Sequence, residues 1–153
     1  MKRALTALTL AACLLVCSMA LASEAEVEIA YLPEGGFRFC YPAALAPQNT
    51  QDEADVLLYA ADAAGNVLCV LRYAAGSGVA LESLEASLRA DEACTDVQLV
   101  DARSVAYLTY AADGNVNTVI AGDDGNLYEI MLSGEETFTE TAAELVRSSL
   151  TPG

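Results

Sequence analysis

The chain has 153 residues, 54% of them hydrophobic, with 22 acidic residues against seven basic ones and neither histidine nor tryptophan. That length and apolar content support one domain with its own core and exclude an intrinsically disordered chain. A net charge of −15 repels phosphate backbones and anionic lipid headgroups, so nucleic acids and membrane surfaces are set aside and cationic partners remain.

The chain opens on a basic Met1-Lys2-Arg3, an apolar stretch from Ala4 to Met19 and a small-x-small site at Ala20-Leu21-Ala22. This pattern predicts a signal peptide over 1–22 and a mature domain over 23–153, secreted or associated with the cell envelope. Leu10-Ala11-Ala12-Cys13 offers a second reading, a lipobox with a lipid anchor on Cys13, although mostly apolar residues follow where a polar tether belongs. An uncleaved membrane anchor is the third. All three place the domain outside the cytoplasm. Cleavage removes Lys2 and Arg3, leaving five arginines against 22 acidic residues, a net charge of −17. Such a surface keeps an exported protein soluble.

Val27, Ile29 and Tyr31 alternate with Glu26, Glu28 and Ala30, and Pro33-Glu34-Gly35-Gly36 turns the chain into Phe37-Arg38-Phe39-Cys40-Tyr41. This is an opening hairpin, ended by Pro42. Residues 43–54 have no sustained period and are predicted as a loop. Asp55–Ala60 and Val67–Tyr73 read as strands around Asp62-Ala63-Ala64-Gly65-Asn66, and Gly76-Ser77-Gly78 breaks the second. A helix is predicted over 81–92, with Leu81, Leu84 and Leu88 on one stripe and Glu85 four residues before Arg89.

Val97–Asp101 and Ser104–Ala111 are further strands, followed by Asp113-Gly114-Asn115. Tyr59–Val67 and Tyr110–Val116 resemble each other apart from two extra residues, as two hairpins of one construction would. Thr118–Leu132 reads as a hairpin about Asp123-Asp124-Gly125-Asn126, with Leu127, Glu129 and Met131 on one face and Tyr128, Ile130 and Leu132 on the other. A closing helix over 137–150 carries Phe138, Ala142, Leu145, Val146 and Leu150 at helical spacing, with a capping-box pattern at Thr137-Phe138-Thr139-Glu140. Hairpin links imply antiparallel pairing. The expected fold is therefore α+β: a twisted, mostly antiparallel sheet of about six to eight strands, with the helices 81–92 and 137–150 packed on it.

The chemistry is sparse. Without histidine there is no Ser-His or Cys-His relay, and Ser77 between two glycines reads as a loop residue and not a nucleophile. Paired-carboxylate hydrolysis could draw only on Asp123, Asp124, Glu129, Glu135 or Glu136, and a turn and a strand end are where solvated acids sit. The residues thus predict no catalytic, cofactor-binding or metal-binding site, and no enzyme. The alternative reading is a cation site, calcium above all, built from Asp123-Asp124-Gly125-Asn126 and Asp113-Gly114-Asn115, although neither has full EF-hand spacing and hairpins favour such residues anyway. Glu24, Glu26 and Glu28 read as a solvated strand face. Cys40, Cys69 and Cys94 allow three single-disulfide pairings or three free thiols, and their spacing fits no zinc pattern. Seven tyrosines and three phenylalanines are more than such a core need bury completely, which favours an exposed patch or a free sheet edge for a peptide or another envelope protein.

Gly-Phe-Arg-Phe-Cys-Tyr-Pro at 36–42, the leucine-rich helix at 81–92, the strand pairs over 97–132 with Asn126-Leu127-Tyr128-Glu129-Ile130, and the closing Ser148-Ser149-Leu150 together resemble the PsbP-like, Mog-type domain. The resemblance spans nearly all of the mature chain and rests on strand aromatics, with no chemical group among its motifs. It implies a twisted antiparallel sheet flanked by helices and a role as a noncatalytic binding or accessory module. The family includes an extrinsic photosystem subunit and a partner of a small GTPase. Neither role carries over, because no partner-contacting residue can be matched here.

Overall fold

The computed structural model describes residues 26–50, 53–74, 80–102 and 104–153. The expected leader, the lipobox cysteine, Glu24 and Ser77 lie outside the described residues. Those residues form ten strands and two helices: β1 Val27–Leu32, β2 Phe37–Pro42, β3 Ala46–Pro47, β4 Val56–Ala61, β5 Val67–Tyr73, α1 Leu81–Ala90, β6 Cys94–Val100, β7 Tyr107–Ala112, β8 Asn115–Ala121, β9 Leu127–Ser133, α2 Glu136–Ser149 and β10 Thr151–Pro152. Every strand pairing is antiparallel. The α+β architecture expected from the hairpin links is the one observed.

The strands divide between two sheets, one of seven in the order β3-β4-β5-β9-β8-β7-β6 and one of three in the order β1-β2-β10. Hairpin links alone do not reveal this division. β1 and β2 pair locally through the Pro33–Gly36 turn, but β10 reaches β2 from the far end of the chain. The strands β3 and β10, two residues each, are too short to leave a periodic signal.

Alternation along β9 sorts the large sheet into two faces. Tyr128, Ile130 and Leu132 are buried in the main core with Ile120, Leu68 and Val70. The α2 residues Ala142, Ala143 and Val146 and the β2 residues Phe37, Phe39 and Tyr41 close that core from the other side. On the opposite face, Leu108 and Val119 receive the α1 stripe of Leu81, Leu84 and Leu88. The two helices therefore lie on opposite faces of the sheet.

Several predicted boundaries shift. Strand β6 begins at Cys94, because the chain leaves α1 at Ala90 and pairs with β7 almost at once. Strand β7 starts at Tyr107, not Ser104. The helix expected over 81–92 ends two residues early, where Asp91 turns extended and its side chain accepts the Ala93 N–H at 3.0 Å. Thr137 does not cap α2. The helix starts one residue sooner, Glu135 stands at its N-cap without a side-chain bond, and the Glu135 N–H donates to Asn66 Oδ1 at 2.9 Å. An acceptor supplied by a residue 69 positions away leaves no trace in the local sequence.

The two echoing turns differ in build. Asp113 and Gly114 both take positive φ, 51° and 78°, and close β7 onto β8 in two residues, as the twist of a hairpin favours. The longer turn uses its carboxylate: Asp62 accepts the N–H groups of Ala64 and Asn66 at 2.9 and 3.0 Å.

Candidate functional site

Strand β1 reverses the usual burial of its pattern. Its apolar residues face outward, with Val27, Ile29 and Tyr31 exposed by 46, 65 and 58%, while Ala30 is buried in the main core. The cause lies in β2. Phe37, Phe39 and Tyr41 fill the inner face completely, and their register partners across the hairpin are Leu32, Ala30 and Glu28. Val27, Ile29 and Tyr31, opposite Pro42, Cys40 and Arg38, are left on the outer face. Among the described residues β1 is also an edge, paired only with β2.

The other edges are blunted. The edges β3 and β10 are two residues long and each contains a proline, Pro47 and Pro152. The register of β6 is interrupted between Thr95 and Gln98, where Asp96 takes φ 54°. Short length, proline, bulges and charged side chains are devices that keep edges from pairing. The edge β1 has neither proline nor bulge, and its six residues keep unbroken register with β2; its one charge is Glu28, in the row of Ala30.

A second feature lies beneath α1. Glu129 is only 9% exposed, at the centre of β9 and opposite Leu71 and Val119 in register. Tyr73 Oη donates to Glu129 Oε2 at 2.8 Å, and Tyr110 Oη donates to Glu129 Oε1. Burial, together with the hydrogen bond to Glu129 and its charge, pushes both phenols well above their usual range, so they stay protonated donors. Beside them is a cavity of about 280 Å³, lined also by Leu84, Leu88, Val119 and Leu127. Glu129 was expected among solvated acids; it is a buried carboxylate held by two tyrosines drawn from β5 and β7.

The remaining acids do not come together. Asp123 and Asp124 lie in the turn before β9 and Glu135 and Glu136 follow its end, so the whole strand separates them. The turns at 113–115 and 123–126 sit at opposite ends of β8, so they do not converge on one cation. Among the described residues, no three Cys, Asp or Glu side chains form a metal-holding group. The Asp124 carboxylate takes the Asn126 N–H at 3.1 Å, the Asn126 amide at 2.7 Å and Tyr128 Oη at 2.8 Å. These are the bonds of a turn. Cys40, Cys69 and Cys94 are free thiols, and burial, followed by neighbouring acids, raises Cys69 and Cys94 away from the reactive thiolate form.

The turn carboxylates shape the acid stability of the fold. The Asn66 amide, followed by backbone donors, holds Asp62 below its ordinary value; burial pushes Asp124 up, but bonds from Tyr128 and Asn126 outweigh it. A carboxylate with a lowered folded pKa contributes stability above its unfolded pKa, and that stability is lost as pH falls through the folded value. Urea midpoints measured from roughly pH 5 down to pH 2 should therefore fall less steeply in Asp62→Asn and Asp124→Asn than in the parent. Equal slopes would remove these turns from the acid response.

The β1 edge has a signal in sequence, since Val27, Ile29 and Tyr31 alternate clearly; only the direction of the face is missing from it. The Glu129 cluster has none, because Tyr73 and Tyr110 stand 56 and 19 residues away. No described helix is long and apolar enough to cross a membrane.

No protein-family model matches the sequence, and comparison with curated proteins finds no match. Among solved structures, the fold is similar to the solution structure of cyanobacterial PsbP (CyanoP) from Synechocystis sp. PCC 6803, with a TM-score of 0.58 and 15% identity over 84% of this chain and 94% of that one. The chain has a PsbP-like fold.

Proposed function

We propose that this chain is a noncatalytic accessory module acting in the cell envelope or outside the cell, which holds a partner polypeptide by adding a strand to β1. The observation that carries the reading is the six-residue edge β1, free of proline and bulge, with its outward row of Val27, Ile29 and Tyr31. An edge strand offers every second N–H and C=O for pairing, while side-chain rows on the two faces select the sequence that docks. The chemistry of the partner follows from those rows. One face presents Val27, Ile29 and Tyr31, the other Glu26 and Glu28, on a chain whose expected mature charge is −17. The fitting partner is an extended segment in which Lys or Arg alternates with aliphatic or aromatic residues, pairing opposite charges and apolar groups across the strands.

A second copy of this chain fits less well, because two strongly acidic surfaces repel one another. The likeness to PsbP supports an accessory role at the level of fold alone.

The test uses an end-blocked peptide of alternating lysine and valine, its glutamate-for-lysine counterpart, and the protein with Ile29→Lys, a change at an exposed side chain. Titration at fixed salt should show saturable binding of the basic peptide, weakened at least about tenfold by Ile29→Lys, or about 1.4 kcal/mol, and no binding of the acidic peptide. Equal binding of both peptides, or full affinity in Ile29→Lys, would refute strand addition at β1.

A further inference from the structure

The cavity under α1 goes beyond strand capture, and it lies on the opposite face of the large sheet from the three-stranded sheet. Its walls are apolar where Leu84, Leu88, Val119 and Leu127 line it, and its polar end is Glu129 with Tyr73 and Tyr110. A carboxylate has about four acceptor positions on its two oxygens. The two phenols occupy one on each oxygen.

Charge is the unbalanced quantity. Among the described residues the ion pairs join Arg72 to Glu34 and Asp55, and Arg89 to Glu85; none reaches Glu129. A carboxylate this deeply buried is costly unless a cation or several donors compensate it. The phenols are neutral donors, so among the described residues no cation faces Glu129. We propose that this cavity binds a small organic ammonium ion, its apolar body against Leu84, Leu88, Val119 and Leu127 and its charge on Glu129.

Each wall excludes a class. Anions meet Glu129 and are repelled. Neutral polar molecules find apolar surface on the helix side. The volume, about 280 Å³, is just below the lower end of ordinary small-molecule pockets, about 300 Å³, and suits a small ligand. An ammonium group can donate charge-assisted bonds to the Glu129 carboxylate and can also lie near the tyrosine rings, which attract cations. The same chemistry is offered by a free alkylamine or by a lysine side chain.

The test is an amide NMR titration of the full mature domain with three probes at matched pH and ionic strength: cyclohexylammonium, acetyl-lysine N-methylamide and the neutral cyclohexanol. Saturable shifts centred on Tyr73, Leu84, Leu88, Tyr110 and Leu127 are expected with an ammonium probe. The tighter of the two identifies the source. Glu129→Gln, which keeps an acceptor for the phenols, should weaken binding at least about tenfold, as loss of one charge-assisted hydrogen bond predicts. Cyclohexanol binding as tightly as cyclohexylammonium, full affinity in Glu129→Gln, or no saturable shift with either ammonium probe would overturn the proposal. Should Glu129→Gln fail to fold, the comparison of ammonium with alcohol on the parent protein decides alone. The strand-capture reading survives or falls separately, on Ile29→Lys.

Discussion

Replacing Tyr128 by alanine should destabilise the protein by about 4 kcal/mol, within the range measured for truncating a fully buried aromatic side chain. The ring is wholly buried and meets Phe37 edge to face, with centroids 5.3 Å apart and planes at 80°. It therefore joins β9 of the large sheet to β2 of the small one. Gly35 and Gly122 make room for it; a Cβ on either would stand 3.0 or 2.4 Å from the ring. Its hydroxyl donates to Asp124 and, through burial and then that carboxylate, is pushed up to about 12. Tyr128→Phe keeps the ring and loses only this bond, so it should cost about 1 kcal/mol. Urea unfolding of the two variants separates packing from hydrogen bonding. A Tyr128→Ala protein no less stable than Tyr128→Phe would mean the two sheets are not joined through this ring.

The second large effect is expected at Gly134→Ala, at about 3 kcal/mol, from about 1–3 for backbone strain and about 1–3 for a hydrogen bond left unmade. Gly134 takes φ 134°, where a side chain is strained whatever space surrounds it. The space is also absent. A Cβ there would lie 2.2 Å from Asn66 Oδ1 and 2.9 Å from Asn66 Cα. Rotation of the Asn66 side chain relieves the first collision but not the second, and it withdraws the acceptor from Glu135 N–H. Asn66→Ala alone leaves that N–H without its partner and should cost about 1–3 kcal/mol. Because both variants break the same latch, the double variant should cost less than the sum of the two, and a double-mutant cycle by urea unfolding measures the difference. Strict additivity would show that the turn after β9 and the Asn66 cap act independently.

These two sites mark how far the sequence could be read. Period survives in it: the alternation at Tyr128, Ile130 and Leu132 and the leucine stripe of α1 place the right residues on the right faces, and the α+β class follows. Phase and distance do not survive. Val27, Ile29 and Tyr31 carry as clean an alternation as β9, yet they face solvent, because only the tertiary arrangement decides which side of an edge hairpin is filled. Glu129 reads as an acid near a turn until two tyrosines from other strands are brought over it. The cap of α2 comes from a turn between β4 and β5, so the local Thr-x-x-Glu pattern is overridden by a partner remote in sequence.

The closure of the small sheet carries a consequence for the order of events in folding. Thr151 and Pro152 pair with Arg38 and Phe37, Arg38 Nε donates to Thr151 Oγ1 across 113 positions, and the Gly153 N–H donates to Gly36 O at 2.8 Å. The β1–β2 hairpin can form by itself within microseconds, but its third strand must close a loop of 113 positions, and such contacts form late. Until residues 151–153 arrive, Phe37, Phe39 and Tyr41 lack the α2 and β10 segments that finish their enclosure. A chain in which residues 151–153 have not yet docked therefore holds its β1–β2 hairpin open, and the pairing of Thr151 and Pro152 with β2 acts as the latch that closes it.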